Sequence, residues 1–95
     1  MEFLVEFAIT VPEGTPASDV RERQRAEAVA ANQLVEEGHL LRLWTQDASN
    51  GETTVLGLYR ADGRAELDRR LVALPLHEWM EITVTPLGPH PNDPA

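Results

Sequence analysis

The sequence contains no cysteine and no lysine, and each absence removes a class of site. Without cysteine there is no disulfide framework and no thiolate to act as a nucleophile or metal ligand. Without lysine there is no amine that could form a Schiff base with a carbonyl substrate. Basic residues are also scarce: 8 arginines stand against 16 acidic residues, and the formal net charge is -8. This balance argues against nucleic acid and anionic membranes as partners, because both require basic surface.

Long hydrophobic runs are missing as well, so no segment reaches membrane-spanning length. The first residues lack the basic and uninterrupted apolar regions of a signal peptide, and a cytoplasmic protein is expected. The three histidines show no i,i+4 spacing, so we predict no metal site. With 95 residues, the chain is expected to form one domain over residues 1–88, followed by a polar, proline-rich tail over 89–95. A domain of this size gains from contacts with further copies of itself.

Hydrophobic periodicity predicts six elements in the order β-α-β-β-α-β. Strands are predicted at 2–11, 39–46, 52–60 and 79–87, and helices at 16–38 and from about 62 to 74. Thr15 and Asp62 are predicted to cap the two helices, Gly38 to end the first, and Asn50-Gly51 to form a tight hairpin turn within 47–51. This order is that of the ferredoxin-like α+β fold, with two helices on one face of a four-stranded antiparallel sheet. The other face mixes Leu and Ala with Glu and Thr, which suits a subunit interface.

Glu27 is the unusual residue of the first helix. At about 100° per residue it falls within an otherwise mostly apolar arc. The members of that arc are Val20, Gln24, Glu27, Ala31, Leu34 and Gly38. A carboxylate in a low-dielectric site keeps its proton to higher pH and can serve as an acid or base near neutrality. The alternative is an acid at the edge of the sheet that pairs with an arginine.

Several segments resemble one known family over nearly the whole chain. They are the opening MEFLVEFAITVP, the helix that contains Glu27, the junction EEGHLLRLW and the segment LPLHEWMEITVTPLGPHP. Together they are similar to the muconolactone Δ-isomerase family. The resemblance implies a dimeric α+β barrel, in which two sheets pack face to face, with possible assembly to a decamer. It also implies a cofactor-free isomerase of aromatic catabolism that moves a proton within a small carboxylated lactone of the 3-oxoadipate pathway.

Four residues are candidates for the site, and the resemblance supports the role of the first. Glu27 would be the catalytic acid and base. Arg42, on the second strand, could bind the substrate carboxylate, although pairing with Glu27 or with an interface acid fits equally well. Trp44 shares the face of Arg42 and could form the wall of a pocket, although a core or interface position is commoner for tryptophan. His77 precedes the last strand and could reach a neighbouring pocket.

Two other functions stay open on the sequence alone. The chain could be a non-catalytic dimeric α+β module that binds a small ligand or serves in oligomerisation. It could also be a cofactor-free tailoring enzyme on the same fold. A cavity that contacts both Glu27 and Arg42 would favour catalysis, whereas a filled core with Glu27 in an ion pair at the rim would favour the non-catalytic module.

Overall fold

The computed structural model describes residues 1–47 and 53–95, and its elements follow the predicted β-α-β-β-α-β order. The strands are β1 (Glu2–Ile9), β2 (Leu40–Asp47), β3 (Thr53–Arg60) and β4 (Met80–Leu87). The helices are α1 (Ala17–Glu36) and α2 (Arg64–Val72), and one turn of 3₁₀ helix (His77–Trp79) leads into β4. The ferredoxin-like fold class is therefore confirmed, and the predicted boundaries are off only at the ends of elements. The predicted Asn50-Gly51 turn lies outside the described residues.

The four strands form one antiparallel sheet in the order β2-β3-β1-β4. β1 lies in the centre and pairs with β3 and β4, so that Val5 stands opposite Gly57 on one side and Val84 on the other. β2 and β4 are the edges. Pro86 lies on the edge strand β4, where a residue without a backbone N–H is tolerated.

Gly38 ends the first helix as predicted and turns the chain directly into β2. Its φ of +80° is in the left-handed region, where glycine has no steric penalty. The Gly38 N–H donates to the Val35 carbonyl at 3.1 Å, and the His39 N–H donates to the Leu34 carbonyl at 2.9 Å. This pair of hydrogen bonds is a Schellman motif, and it satisfies carbonyl groups that the last turn of a helix otherwise leaves free.

The two predicted N-terminal caps are wrong. Pro16 is the N-cap residue of α1 and has no side-chain hydrogen bond to offer. The Thr15 hydroxyl donates instead to the Pro12 carbonyl at 2.6 Å, so it closes the preceding loop. At α2 the N-cap is Gly63 in an extended conformation, and Asp62 lies one residue earlier. In both places the helix begins one residue too late for the polar side chain to occupy the N-cap position.

The core lies between the helices and one face of the sheet. Alternate residues of β1 point into it, as the sequence pattern predicts, and α2 contributes Leu67 and Leu71. The buried apolar residues of this cluster are Phe3, Val5, Phe7, Leu34, Leu40, Tyr59, Ala61, Leu67, Leu71 and Leu74. In the described ranges neither helix has the length and apolar character needed to cross a bilayer.

Candidate active site

Glu27 points from α1 toward the helix-covered face of the sheet, as its place in the apolar arc predicts. It is half-buried, and Leu34, two turns further along the same face, is buried in the core. Three members of the arc (Gln24, Glu27 and Ala31) line a cavity between α1 and the sheet. The helical period thus brings the carboxylate to a recess and not to open water.

The cavity has a volume of about 290 Å³ and an apolar lining. Its walls come from α1, from all four strands of the sheet and from the segment between α2 and β4. The lining residues are Phe7, Ile9, Gln24, Glu27, Ala28, Ala31, Leu43, Val55, Tyr59, Leu74, Leu76 and Met80. Among the described lining residues, only Gln24, Glu27 and Tyr59 bring polar side-chain groups to it. A mostly apolar recess with a few polar groups is the usual form of a small-molecule site.

One backbone amide fixes the Glu27 carboxylate. The Leu76 N–H donates to Glu27 Oε1 at 3.0 Å, across 49 residues of sequence. Within residues 1–47 and 53–95 Glu27 forms no ion pair, so the alternative of an acid paired with an arginine does not describe this site. None of the hydrogen bonds and ion pairs of the described residues involves its second carboxylate oxygen, Oε2.

The surroundings of Glu27 make it a better base than a solvated carboxylate. Burial raises the pKa of Glu27 above its ordinary value of 4.5, and the Leu76 N–H opposes this in part by stabilising the charged form. A carboxylate whose pKa moves toward neutrality can both remove and return a proton within one catalytic cycle.

Arg23 holds the segment that supplies the Leu76 amide. Its guanidinium lies 4.6 Å from the centroid of the Trp79 ring and forms an ion pair with Glu78. It also donates to the Pro75 carbonyl at 3.3 Å. Arg23 therefore connects α1 to the residues around Leu76.

Sequence comparison identifies the family of the chain. The family model for muconolactone delta-isomerase matches residues 1–93. The chain belongs to this family. It is 32% identical over 92 residues to the muconolactone Delta-isomerase of Cupriavidus pinatubonensis, with 97% of both chains covered. It is 30% identical over 95 residues to muconolactone Delta-isomerase 1 of Acinetobacter lwoffii, with 97% of this chain and 93% of the relative covered.

A solved structure agrees with this family assignment at the level of the fold. The crystal structure of a muconolactone isomerase superposes with a TM-score of 0.85 and 24% sequence identity. The superposition covers 100% of this chain and 96% of the other. The resemblance predicted from the sequence is thus confirmed.

In this member of the muconolactone delta-isomerase family, Arg42 and Trp44 lie on the other face of the sheet. They stand opposite Leu58 and Leu56 of β3, and the Arg42 guanidinium lies 4.9 Å from the centroid of the Trp44 ring. Neither lines the Glu27 cavity, whereas Leu43, between them, does. Their roles in substrate binding stay predictions.

A one-residue bulge explains this placement. The register of β2 against β3 shifts between Leu40 and Arg42. Leu40 is buried in the core, and strict alternation would put Arg42 on the same face. The extra residue at the bulge reverses the alternation, so that Leu43 returns to the core side.

His77 lies apart from Glu27. It contributes to a second small cavity of about 290 Å³, with Arg64 and Asp68 of α2 and Ile82 and Val84 of β4. Its predicted role in substrate binding also stays a prediction. The described part of the chain contains no group of three or more His, Asp or Glu side chains that could bind a metal ion.

Tyr59 is the cavity residue that sequence reasoning missed. It is the only tyrosine of the chain and is 3% exposed. A signal for it was present in the segment TTVLGLYR, since a glycine inside a strand often marks a place where another group approaches the backbone closely. Here Gly57 is followed two residues later, on the same face, by Tyr59.

Proposed function

We propose that this protein catalyses an intramolecular proton transfer on a small carboxylated unsaturated lactone of the muconolactone type, with Glu27 as the acid and base. The observation that carries the proposal is the position of Glu27 at an apolar cavity, with Oε1 held by the Leu76 amide. Family membership supports the same reaction, because both curated relatives bear the name muconolactone Delta-isomerase.

The reaction needs one group that removes a proton and returns it nearby. Glu27 takes the proton from the ring carbon that bears the carboxymethyl group, and the electron pair spreads through the ring double bond to the lactone carbonyl oxygen. Glu27 then returns the proton to the carbon beside that carbonyl, and the double bond moves by one position. No proton or electron is gained overall, so a positioned carboxylate suffices, contributing on the order of 10²- to 10⁴-fold.

The size and lining of the cavity suit such a substrate. Its volume of about 290 Å³ fits a single five-membered ring with a short side chain. The apolar walls exclude water and so strengthen the interaction between the carboxylate and the developing charges. Among the described lining residues there is no arginine, so the group that binds the substrate carboxylate is a separate question, for which Arg42 remains our prediction.

The proposal is tested by following lactone isomerisation by ultraviolet absorbance. Wild-type protein is expected to isomerise muconolactone, and Glu27→Gln to lower kcat by about 100-fold or more, because an amide cannot accept the proton. Glu36→Gln is a matched control, since it removes an exposed carboxylate from the same helix. Equal activity of wild type and Glu27→Gln would remove Glu27 from the mechanism. A wild-type protein that binds the lactone without isomerising it would favour the non-catalytic binding module.

We also propose that the protein acts as a homo-oligomer in which a second copy covers the open face of the sheet. Leu4, Leu56 and Leu58 are only half-buried there, and Leu4 stands directly opposite Leu58. A patch of neighbouring apolar side chains on a small domain is typical of a subunit interface. Light scattering after gel filtration would give the mass in solution and decide between monomer, dimer and decamer.

The extent of the folded domain and the location of the protein are further proposals. We propose that residues 1–88 form the single folded domain and that 89–95 form a tail, which limited proteolysis would check. A cytoplasmic location also stays a prediction.

A further inference from the structure

Tyr59 lies on the helix-covered face of the sheet and lines the Glu27 cavity. It lies on β3 opposite Phe3 of β1 and Leu40 of β2, so its side chain joins the helix-covered face. Its ring meets the Phe7 ring edge-on, with centroids 6.0 Å apart and planes at 61°. These contacts hold the aromatic body firmly, as expected for a buried aromatic pair.

Gly57 determines where the Tyr59 ring lies. A Cβ at Gly57 would come within 2.5 Å of Tyr59 Cε1 and 3.3 Å of Leu43 Cδ2. The ring therefore covers the bare backbone of the glycine two residues earlier on the same face, and only glycine leaves this space. The backbone of Gly57 has no positive φ, so the close approach of the ring is the reason that the position requires glycine.

The Tyr59 hydroxyl is free to meet a ligand. Among the hydrogen bonds of the described residues none involves this group. The same residues contain no fully buried side-chain oxygen or nitrogen that lacks a partner, so the hydroxyl keeps some accessible surface. Tyr59 lines the Glu27 cavity, and the proposal below places this hydroxyl at that cavity.

Few other donors are available there. The Leu76 N–H is already used by Glu27, and the Gln24 side chain belongs to a residue that is mostly exposed. The remaining lining side chains are apolar except Glu27 itself. Burial and the nearby Glu27 carboxylate both raise the pKa of Tyr59 above its ordinary range, so the phenol keeps its proton at neutral pH and remains a donor.

The proposed isomerisation needs such a donor. When a carboxylate removes a ring proton, negative charge gathers on the lactone carbonyl oxygen. A donor fixed in advance near that oxygen lowers the barrier more than it strengthens ground-state binding, because the charge exists only after the proton has left the carbon.

We propose that Tyr59 is a second catalytic residue, whose hydroxyl donates a hydrogen bond to the lactone carbonyl oxygen and stabilises the enolate formed when Glu27 removes the ring proton. The phenol keeps its own proton throughout, and the only proton that moves travels from carbon to Glu27 and back to carbon. This role rests on the proposed function for its chemistry. It also assigns the cavity a definite ligand class: five-membered lactones that can form an enolate.

The kinetic test is Tyr59→Phe, which removes one oxygen and keeps the ring over Gly57. We expect kcat to fall by about 100-fold with little change in KM, as is usual when one donor to a developing oxyanion is lost. An unchanged kcat, or a change confined to KM, would overturn the catalytic role.

The binding test does not depend on turnover. Tetronate, the stable enolate of a five-membered lactone, is titrated into Glu27→Gln and into Glu27→Gln/Tyr59→Phe, with neutral 2(5H)-furanone as the uncharged control. We expect Glu27→Gln to bind tetronate about 10- to 100-fold more tightly than Glu27→Gln/Tyr59→Phe does. The two variants are expected to differ much less in their affinity for furanone, because hydrogen bonds to charged acceptors are stronger. Equal tetronate affinity in the two variants, or no preference of Glu27→Gln for tetronate over furanone, would overturn the proposal.

A spectroscopic signal accompanies the titration. Because Tyr59 is the only tyrosine, a ¹³C label on the phenol carbon gives one assigned resonance, which is expected to shift when tetronate binds and not when furanone binds. If the wild type fails to isomerise muconolactone, the proposed function fails, and the tetronate titration still decides whether Tyr59 serves as an enolate donor.

Discussion

The two faces of the sheet differ in what covers them and in what they can do, although the same strands supply both. The helix-covered face places Glu27 beside an apolar cavity lined by Leu43 and Tyr59. On the open face Arg42 lies over Trp44, and no helix covers them. Neighbouring residues of a strand need not share a function, because adjacent side chains of β2 point to opposite faces of the sheet. The predicted site residues are divided between the two faces: Glu27 lies on the helix-covered face, and Arg42 and Trp44 lie on the open face.

The largest expected effect tests the open face. Leu58→Glu places a carboxylate at the centre of the proposed interface, once per subunit, and is expected to weaken self-association at least about 100-fold, since like charges brought together there cost several kcal/mol. The folded monomer is expected to persist, because Leu58 is outside the core. Sedimentation velocity would measure the change, with the exposed Val72→Glu on α2 as control. An unaltered mass for Leu58→Glu would show that this face is not the interface.

The next prediction separates neighbours on β2. Leu43→Ala is expected to lower kcat/KM about 10-fold, since it removes apolar contact from the wall of the cavity. Trp44→Ala is expected to lower the mass of the assembly, with a smaller loss of kcat/KM than Leu43→Ala causes. Steady-state kinetics and light scattering on both variants would check this. If Trp44→Ala lowers kcat/KM as much as Leu43→Ala while the mass stays the same, the two faces of the sheet do not have separate roles.

A smaller effect is expected from the Arg23 contacts, which hold the segment that supplies the Leu76 amide to Glu27. Arg23→Ala removes the ion pair with Glu78, the contact with Trp79 and the bond to the Pro75 carbonyl. The cost is expected to be about 1 kcal/mol, since each contact is partly exposed, together with a few-fold loss in kcat. Urea denaturation and kinetics would measure the two effects.

Arg25→Ala is the matched control for Arg23→Ala, because it changes the same residue type at an exposed position of the same helix. If both variants behave alike, the Arg23 contacts do not position Leu76.

The smallest expected effect is on the free energy of unfolding and on how the Glu27 contribution to it depends on pH. Burial raises the pKa of Glu27, so the folded state binds this proton more tightly than the unfolded state does. The resulting stabilisation is fully present below the ordinary pKa of 4.5 and is lost as pH rises through the folded pKa. Glu27→Gln is therefore expected to be more stable than wild type near neutral pH, by roughly 0.5–1 kcal/mol.

Denaturant unfolding near pH 7 and near pH 4 would measure this difference, which is expected to shrink at the lower pH. A variant that is less stable than wild type at both pH values would contradict it. The same raised pKa places the acidic limb of kcat/KM above pH 4.5, because the base must be ionised to accept a proton.

Much of the fold was predictable because it follows from local periodicity. The alternation over β1, the helical arc through Glu27 and the glycine at 38 each depend on a few neighbouring residues, and all are confirmed. The helix starts were less predictable. Thr15 is a good capping residue by type, but its hydroxyl bonds to the Pro12 carbonyl, and the helix begins after Pro16. Capping depends on backbone angles at one position, which residue type only biases.

The sequence by itself determined the order of elements, the family resemblance and the direction in which Glu27 points, because a 3.6-residue period fixes which face of a helix a residue occupies. Only the tertiary structure decided what meets Glu27. The bulge between Leu40 and Arg42 reverses the alternation of β2, and the Leu76 amide arrives from 49 residues away. Such contacts depend on how elements pack and on a single extra residue in a strand, and no local period of the sequence records either.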